Sequence, residues 1–197
     1  LPVIVGSLHS MLAPVCLGFK AVAPHKKLVY LMSDGAALPL SLSRQVSSLL
    51  ATKLIDSTIT FNHAFGGEYE AVNVYSALLA AKHVCHADAA VILMGPGVVG
   101  TSTTWGNTAL EQGIYLNAVH TLGGEGIAIL RTSFADQRVR HQGFSHHSLT
   151  ALNRIVTNPC TVPIPLDLRS NPLIADKLPL LKKHKITWVD TEPYVDL

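Results

Sequence analysis

Three loop-like segments hold the residue types most able to do chemistry. Residues 94–104 read MGPGVVGTSTT, in which Gly95, Gly97 and Gly100 precede a run of four hydroxyl residues. Glycines let backbone N–H groups approach an anion closely. Thr101, Ser102, Thr103 and Thr104 add hydroxyl donors, and the helix expected next adds the positive end of its dipole. The glycines also fit G-x-G-x-x-G. However, Pro96 removes one N–H and no acidic residue ends the next expected strand, where Arg131 stands instead. An arginine there suits a ribose 2′-phosphate. An anion cradle is the leading reading. A tight structural turn comes second and a dinucleotide site third.

Residues 133–147 are the densest polar stretch. In an extended loop Arg138 and Arg140 point the same way, and two neighbouring guanidiniums suit a shared phosphate or carboxylate. The plain alternative is a solvated loop in which Asp136 pairs with one arginine. Ser145 is a natural N-cap. His141 is a candidate proton carrier, with Asp136 beside it. His141, His146 and His147 raise a metal question. Adjacent helical residues point about 100° apart, and neither H-E-x-x-H nor a Cys/His zinc spacing is present, so no metal is expected. In residues 63–70, HAFGGEYE, His63 and Glu68 can pair as general base and partner; the plain alternative puts Glu68 and Glu70 in the first turn of a helix. Secondary candidates are His9, Ser10 and Asp34, which follow the first two expected strands, and His146. No G-x-S-x-G elbow accompanies them.

These loops need a frame. Apolar runs at 2–6, 27–32, 58–61, 89–94, 126–130, 161–165 and 186–189 read as strands. Between them, 11–22, 40–52, 68–85, 108–122, 145–156 and 172–183 have helical length or spacing. The βαβα rhythm predicts an α/β fold: one open, mostly parallel, doubly wound (Rossmann-like) sheet with helices on both faces. In such sheets ligands bind beyond the carboxyl ends of the strands, which is where the three polar segments fall.

At 197 residues the chain fits one domain. Only 14% of residues are charged, against about 25% on average. That suits strands buried on both faces, together with a partner-covered surface such as a homo-oligomer interface. A net charge of +2, with no basic stripe, argues against nucleic acid. Polar residues within 1–19 interrupt the apolar run there, which argues against a membrane span or signal peptide. Cys16, Cys85 and Cys160 are isolated, as suits free thiols in a reducing cytoplasm.

Five segments, LHSML, SDGAALPLSLSRQVSSL, HAFGGEYEAVNVYSALLAA, MGPGVVGTST and SFADQRVRHQGFSHHSLTAL, together resemble a bacterial family, domain of unknown function 3866. The resemblance covers most of residues 1–165. It implies a longer full-length chain, with residues before Leu1 and after Leu197, and it supplies no activity or cofactor. Asn62 and Ser102 stand where that pattern has glycine. The leading expectation is an enzyme for a small phosphorylated or otherwise anionic substrate. A non-catalytic sensor or assembly module and a nucleotide-binding protein are the alternatives.

Overall fold

The computed structural model describes residues 1–33 and 39–194; Asp34 lies outside them. Eight strands form one sheet: β1 (Pro2–Val5), β2 (Leu28–Ser33), β3 (Ser57–Phe61), β4 (Tyr69–Ala71), β5 (Ala89–Met94), β6 (Glu125–Ala128), β9 (Thr161–Pro165) and β10 (Lys185–Val189). Between β6 and β9, β7 (Thr132–Ser133) and β8 (Gly143–Phe144) form a small antiparallel ladder. The sheet order is β10-β9-β6-β1-β5-β2-β3-β4 and every pairing in it is parallel. β2 and β5, LVYLMS and AAVILM, are buried along their whole length. An interior strand covered on both faces needs no polar alternation.

Helices cover both faces. On one side α1 (Leu12–Val22) and α2 (Arg44–Ala51) set Leu12, Cys16, Val46 and Leu49 against Leu28, Tyr30 and Met32. On the other, α3 (Val74–His83), α4 (Glu111–Thr121) and α5 (His146–Thr150) pack with Val29, Leu31 and Ile92. Residues of β2 thus alternate between two cores, as the period of a strand requires. A last short helix, α6 (Pro172–Ala175), precedes β10. No helix among the described residues is long and apolar enough to cross a membrane. Cys16, Cys85 and Cys160 are free.

This connectivity creates the crevice that matters. β1 lies between β5 and β6. The chain leaves β1 toward α1 on one face but leaves β5 and β6 toward α4 and α5 on the other, so the loops part at the carboxyl ends of these three strands. Gln112 of α4, 1% exposed, lies beneath these loops against β1. Its Nε2 donates to Val5 O at 2.9 Å and Ile129 O at 2.8 Å, tying β1 to the end of β6.

The structure corrects several of the helices expected from the sequence, including that over 172–183, which is α-helical only at Pro172–Ala175. Residues 68–85 are not one helix: Tyr69–Ala71 pair with β3 as an edge strand. The helix begins only at Val74, where Asn73 Oδ1 accepts from Ser76 N and Ser76 Oγ accepts from Asn73 N. The cause is Gly67, which brings the backbone against β3; a β-carbon there would stand 2.8 Å from both Thr60 N and Tyr69 O. Glu68 and Glu70 therefore cap no helix. Glu70 Oε1 accepts from Gly66 N, and Glu68 N donates to Thr58 Oγ1. The helix expected over 145–156 is α-helical only to Thr150 and continues as a π turn over Ala151–Ile155.

On the α1 side a trough of about 880 Å³ runs beyond α1, between Ile4, Met11, Ile127, Ile129, Phe144 and Pro165.

Candidate functional site

The loop after β6 builds the centre of the site. β7 and β8 pin its two ends together, and a 3-10 turn over Val139–His141 carries His141 inward. Ser145 then caps α5, its Oγ accepting from His147 N at 3.3 Å. These local choices bring three imidazoles together. The ring centroids lie 5.0 Å apart for His141 and His146, 4.8 Å for His141 and His147, and 4.3 Å for His146 and His147. One nitrogen from each ring lies within 4.8 Å of the others. The expectation that adjacent His146 and His147 diverge does not hold. At a helix start the side-chain torsions can fold neighbouring rings toward one point, whatever the angle between their Cα–Cβ bonds.

His141 is fully buried, and its Nδ1 lies 2.7 Å from Ser145 Oγ. Its Nε2 faces Arg140 Nε, which donates at 3.4 Å. His147 is 5% exposed, and among the described residues neither of its ring nitrogens has a partner; His146 Nε2 has none either. Burial, reinforced by the charges of Arg131 and Arg138, pushes His141 down to about 4. Burial and the two neighbouring imidazoles push His147 down to about 4. His146 is lowered by burial and then by Arg140. All three rings are neutral near pH 7.

Asp136 organises the positive charge around them. Its carboxylate takes Arg138 through Nε and Nη2, both at 3.0 Å, and Arg131 Nη2 at 3.1 Å. The hydrogen bonds from Arg138 hold the carboxyl well below the usual carboxylate range. Asp136 thus pairs with two arginines, neither of them Arg140, and Arg140 has no ion pair among the described residues.

The loop after β5 closes over the histidines. Gly100 bridges Asn107. A β-carbon at Gly100 would stand 3.6 Å from His147 Cε1, so glycine lets this backbone lie on the ring. Thr101 and Thr103 share a 2.9 Å hydroxyl contact, and Thr103 Oγ1 accepts from Gly106 N. Those two hydroxyls therefore brace the loop rather than point out of it. Gly95 N donates to Ser33 O, Gly97 is exposed with φ +105°, and Ser102 is exposed. The loop does not open directly into the long helix, since a 3-10 turn over Thr108–Leu110 precedes α4.

Other candidates fall elsewhere. His63 is exposed at the end of β3, four strands from β6, which is about 19 Å at the usual strand spacing. It and Glu68 do not join the histidines. His9 ties elements together through Nδ1 to Tyr30 OH at 3.2 Å and Nε2 to Ser43 Oγ at 2.7 Å, while Ser10 is exposed. Ser7 follows the first strand, as the sequence indicates, whereas nothing in the sequence singles out Asn107, Glu111 and Gln112 after β5. Glu111 Oε2 accepts from Tyr115 OH at 2.6 Å and from Ser33 Oγ at 3.2 Å. The thiols of Cys16 and Cys160 are pushed up to about 12 and about 11 by burial, which makes them poor nucleophiles.

Neutral buried histidines carry a stability consequence. Their folded pKa lies below the ordinary 6.5, so between about 6.5 and 4 the unfolded chain binds more protons and stability falls with falling pH. Thermal melts from pH 7 to pH 4 in chelator should show this decline, and His147→Gln should shallow it. A flat melting temperature across that interval would contradict the burial of neutral rings.

A family model described as Protein of unknown function (DUF3866) matches residues 1–197, the whole chain. No curated protein matches it.

Proposed function

The chain belongs to this family, whose description carries no activity, and from its own residues we propose that it is an enzyme for a small anionic substrate. The substrate lies in the crevice beyond β1, β5 and β6. One observation carries this reading. Among the described residues, six buried side-chain polar atoms have no partner in the protein: Ser7 Oγ, Asn107 Oδ1, Gln112 Oε1, His146 Nε2 and both ring nitrogens of His147. All of them follow β1, β5 or β6. Buried polar groups are almost always paired, so unpaired atoms gathered in the segments after these three strands support a place that meets a polar ligand. Arg140, which has no carboxylate partner among the described residues, supplies the charge for an anion. His141, fully buried with Nδ1 at Ser145 Oγ and Nε2 accepting from Arg140 Nε, helps to position that guanidinium. The Gly95–Gly100–Ser102 backbone forms the roof, and Arg138 holds Asp136 in place beside it.

The test is a thermal-shift screen of phosphosugars, nucleotides and dicarboxylates, followed by calorimetry on any ligand that raises the melting temperature by mass action. Arg140→Ala should weaken such a ligand at least tenfold, about 1.4 kcal/mol, with little change in melting temperature. An affinity unchanged by Arg140→Ala would remove the anion site from this crevice.

The apolar trough beside α1 favours a second reading, an assembly module whose copies meet there. Sedimentation of the purified chain distinguishes them: a stable dimer abolished by Ile129→Asp, with no ligand from the screen, would favour assembly.

A further inference from the structure

We infer that His141, His146 and His147 form a three-histidine site for a divalent transition-metal ion, zinc being the best fit. The inference goes beyond the anionic-substrate reading and does not depend on it.

The argument starts from the nitrogens. One from each ring already lies within 4.8 Å of the other two. Tetrahedral zinc with Zn–N bonds of about 2.0–2.1 Å needs ligand nitrogens roughly 3.4 Å apart, so rotation of side chains is enough to close the set. His147 is more than nine-tenths buried, yet among the described residues both of its nitrogens lack a partner, as does His146 Nε2. A packed protein leaves such atoms unpaired only where something else meets them.

The surroundings fit as well. Ser145 Oγ lies 2.7 Å from His141 Nδ1. A proton on Nδ1 directed at that oxygen fixes the tautomer and leaves the Nε2 lone pair for the ion, the usual support of a metal-bound histidine. An all-imidazole set suits zinc and its first-row neighbours, whereas magnesium and calcium take oxygen ligands. Three protein ligands leave the fourth position open, as in catalytic rather than structural zinc sites. Arg131, Arg138 and Arg140 stand nearby. Asp136 takes the first two, and Arg140, which now faces His141 Nε2, must turn away as the ion arrives. The remaining positive charge then favours an anion as the fourth ligand.

The test is titration of the chelator-treated full chain with zinc alone, followed by competition against a chromophoric chelator. One zinc per chain is expected, weakened at least tenfold by His146→Gln and by His147→Gln and unchanged by His63→Gln, which lies outside the cluster. Cobalt(II) loading of the unmutated chain provides a readout independent of variant folding, with the intense visible bands of a low-coordinate ion. Absence of stoichiometric zinc and of those bands overturns the site. So does zinc binding that persists unchanged in folded His146→Gln and His147→Gln chains. No substrate enters these titrations, so failure here leaves the Arg140 test standing, and failure there leaves this site standing.

Discussion

Phe144→Ala is expected to lower the stability of the chain by about 3–5 kcal/mol, the usual cost of deleting a buried aromatic ring. Phe144 is 1% exposed and belongs to the larger core, yet it also borders the open trough. It sits between His141 and Ser145, and its backbone oxygen accepts from Lys177 Nζ at 2.9 Å. Phe144 thus joins the larger core to the short β7–β8 ladder, which pairs Phe144 with Thr132 just before the helix of His146 and His147. Removing its ring should cost packing first and zinc affinity second, because the ladder would no longer fix His141. Urea denaturation should show a lower midpoint at an unchanged slope. A loss under about 1 kcal/mol would mean that the trough already admits solvent around the ring.

Gln112→Leu is expected to cost about 2–3 kcal/mol even though the volume is nearly conserved. The leucine removes both amide hydrogen bonds that bind Val5 O and Ile129 O. Val5 O keeps its bond from Ile129 N; for Ile129 O the amide was the side-chain donor that met it. A buried carbonyl stripped of its donor costs about 1–3 kcal/mol, and the lost hydrogen bond to the other strand adds to it. If apolar packing governed this position, leucine would be neutral, so equal midpoints for the two chains would reject the bridging role. The same variant should loosen any ligand that meets Gln112 Oε1.

Much of the frame was legible because parallel strands announce themselves. The run 89–94 is apolar throughout, as a strand covered on both faces must be, and it became β5. The helix misread over 68–85 has a clear reason. Ala71 continues the apolar spacing of Val74, Tyr75 and Leu78 backward by one step, while the evidence for β4 lies in Gly67 and in β3, its partner across space. The site divides the same way. The rule that ligands sit beyond strand ends singled out the loops after β5 and β6 as candidates from sequence alone. Strand order, which parts His63 from His141, is not written in either segment. Nor is the convergence of His146 and His147, which depends on torsions about single bonds. Asp136 was legible as the partner of an arginine; that it holds two, Arg131 as well as Arg138, required the fold.

The position of β1 sets the order in which the molecule can be assembled. Its residues 2–5 pair with Ala90–Ile92 on one side and Glu125–Ala128 on the other, so the middle of the sheet waits for segments made long afterward. Contacts between residues so distant in the chain slow folding, because loop closure must precede its reward. Until residue 128 has emerged, Val3 and Val5 have no complete berth, and the newborn chain carries an apolar strand with at least one edge unpaired. Such a strand invites association with other chains. The crevice that gathers the histidines thus takes shape late, once β6 has slotted in beside β1.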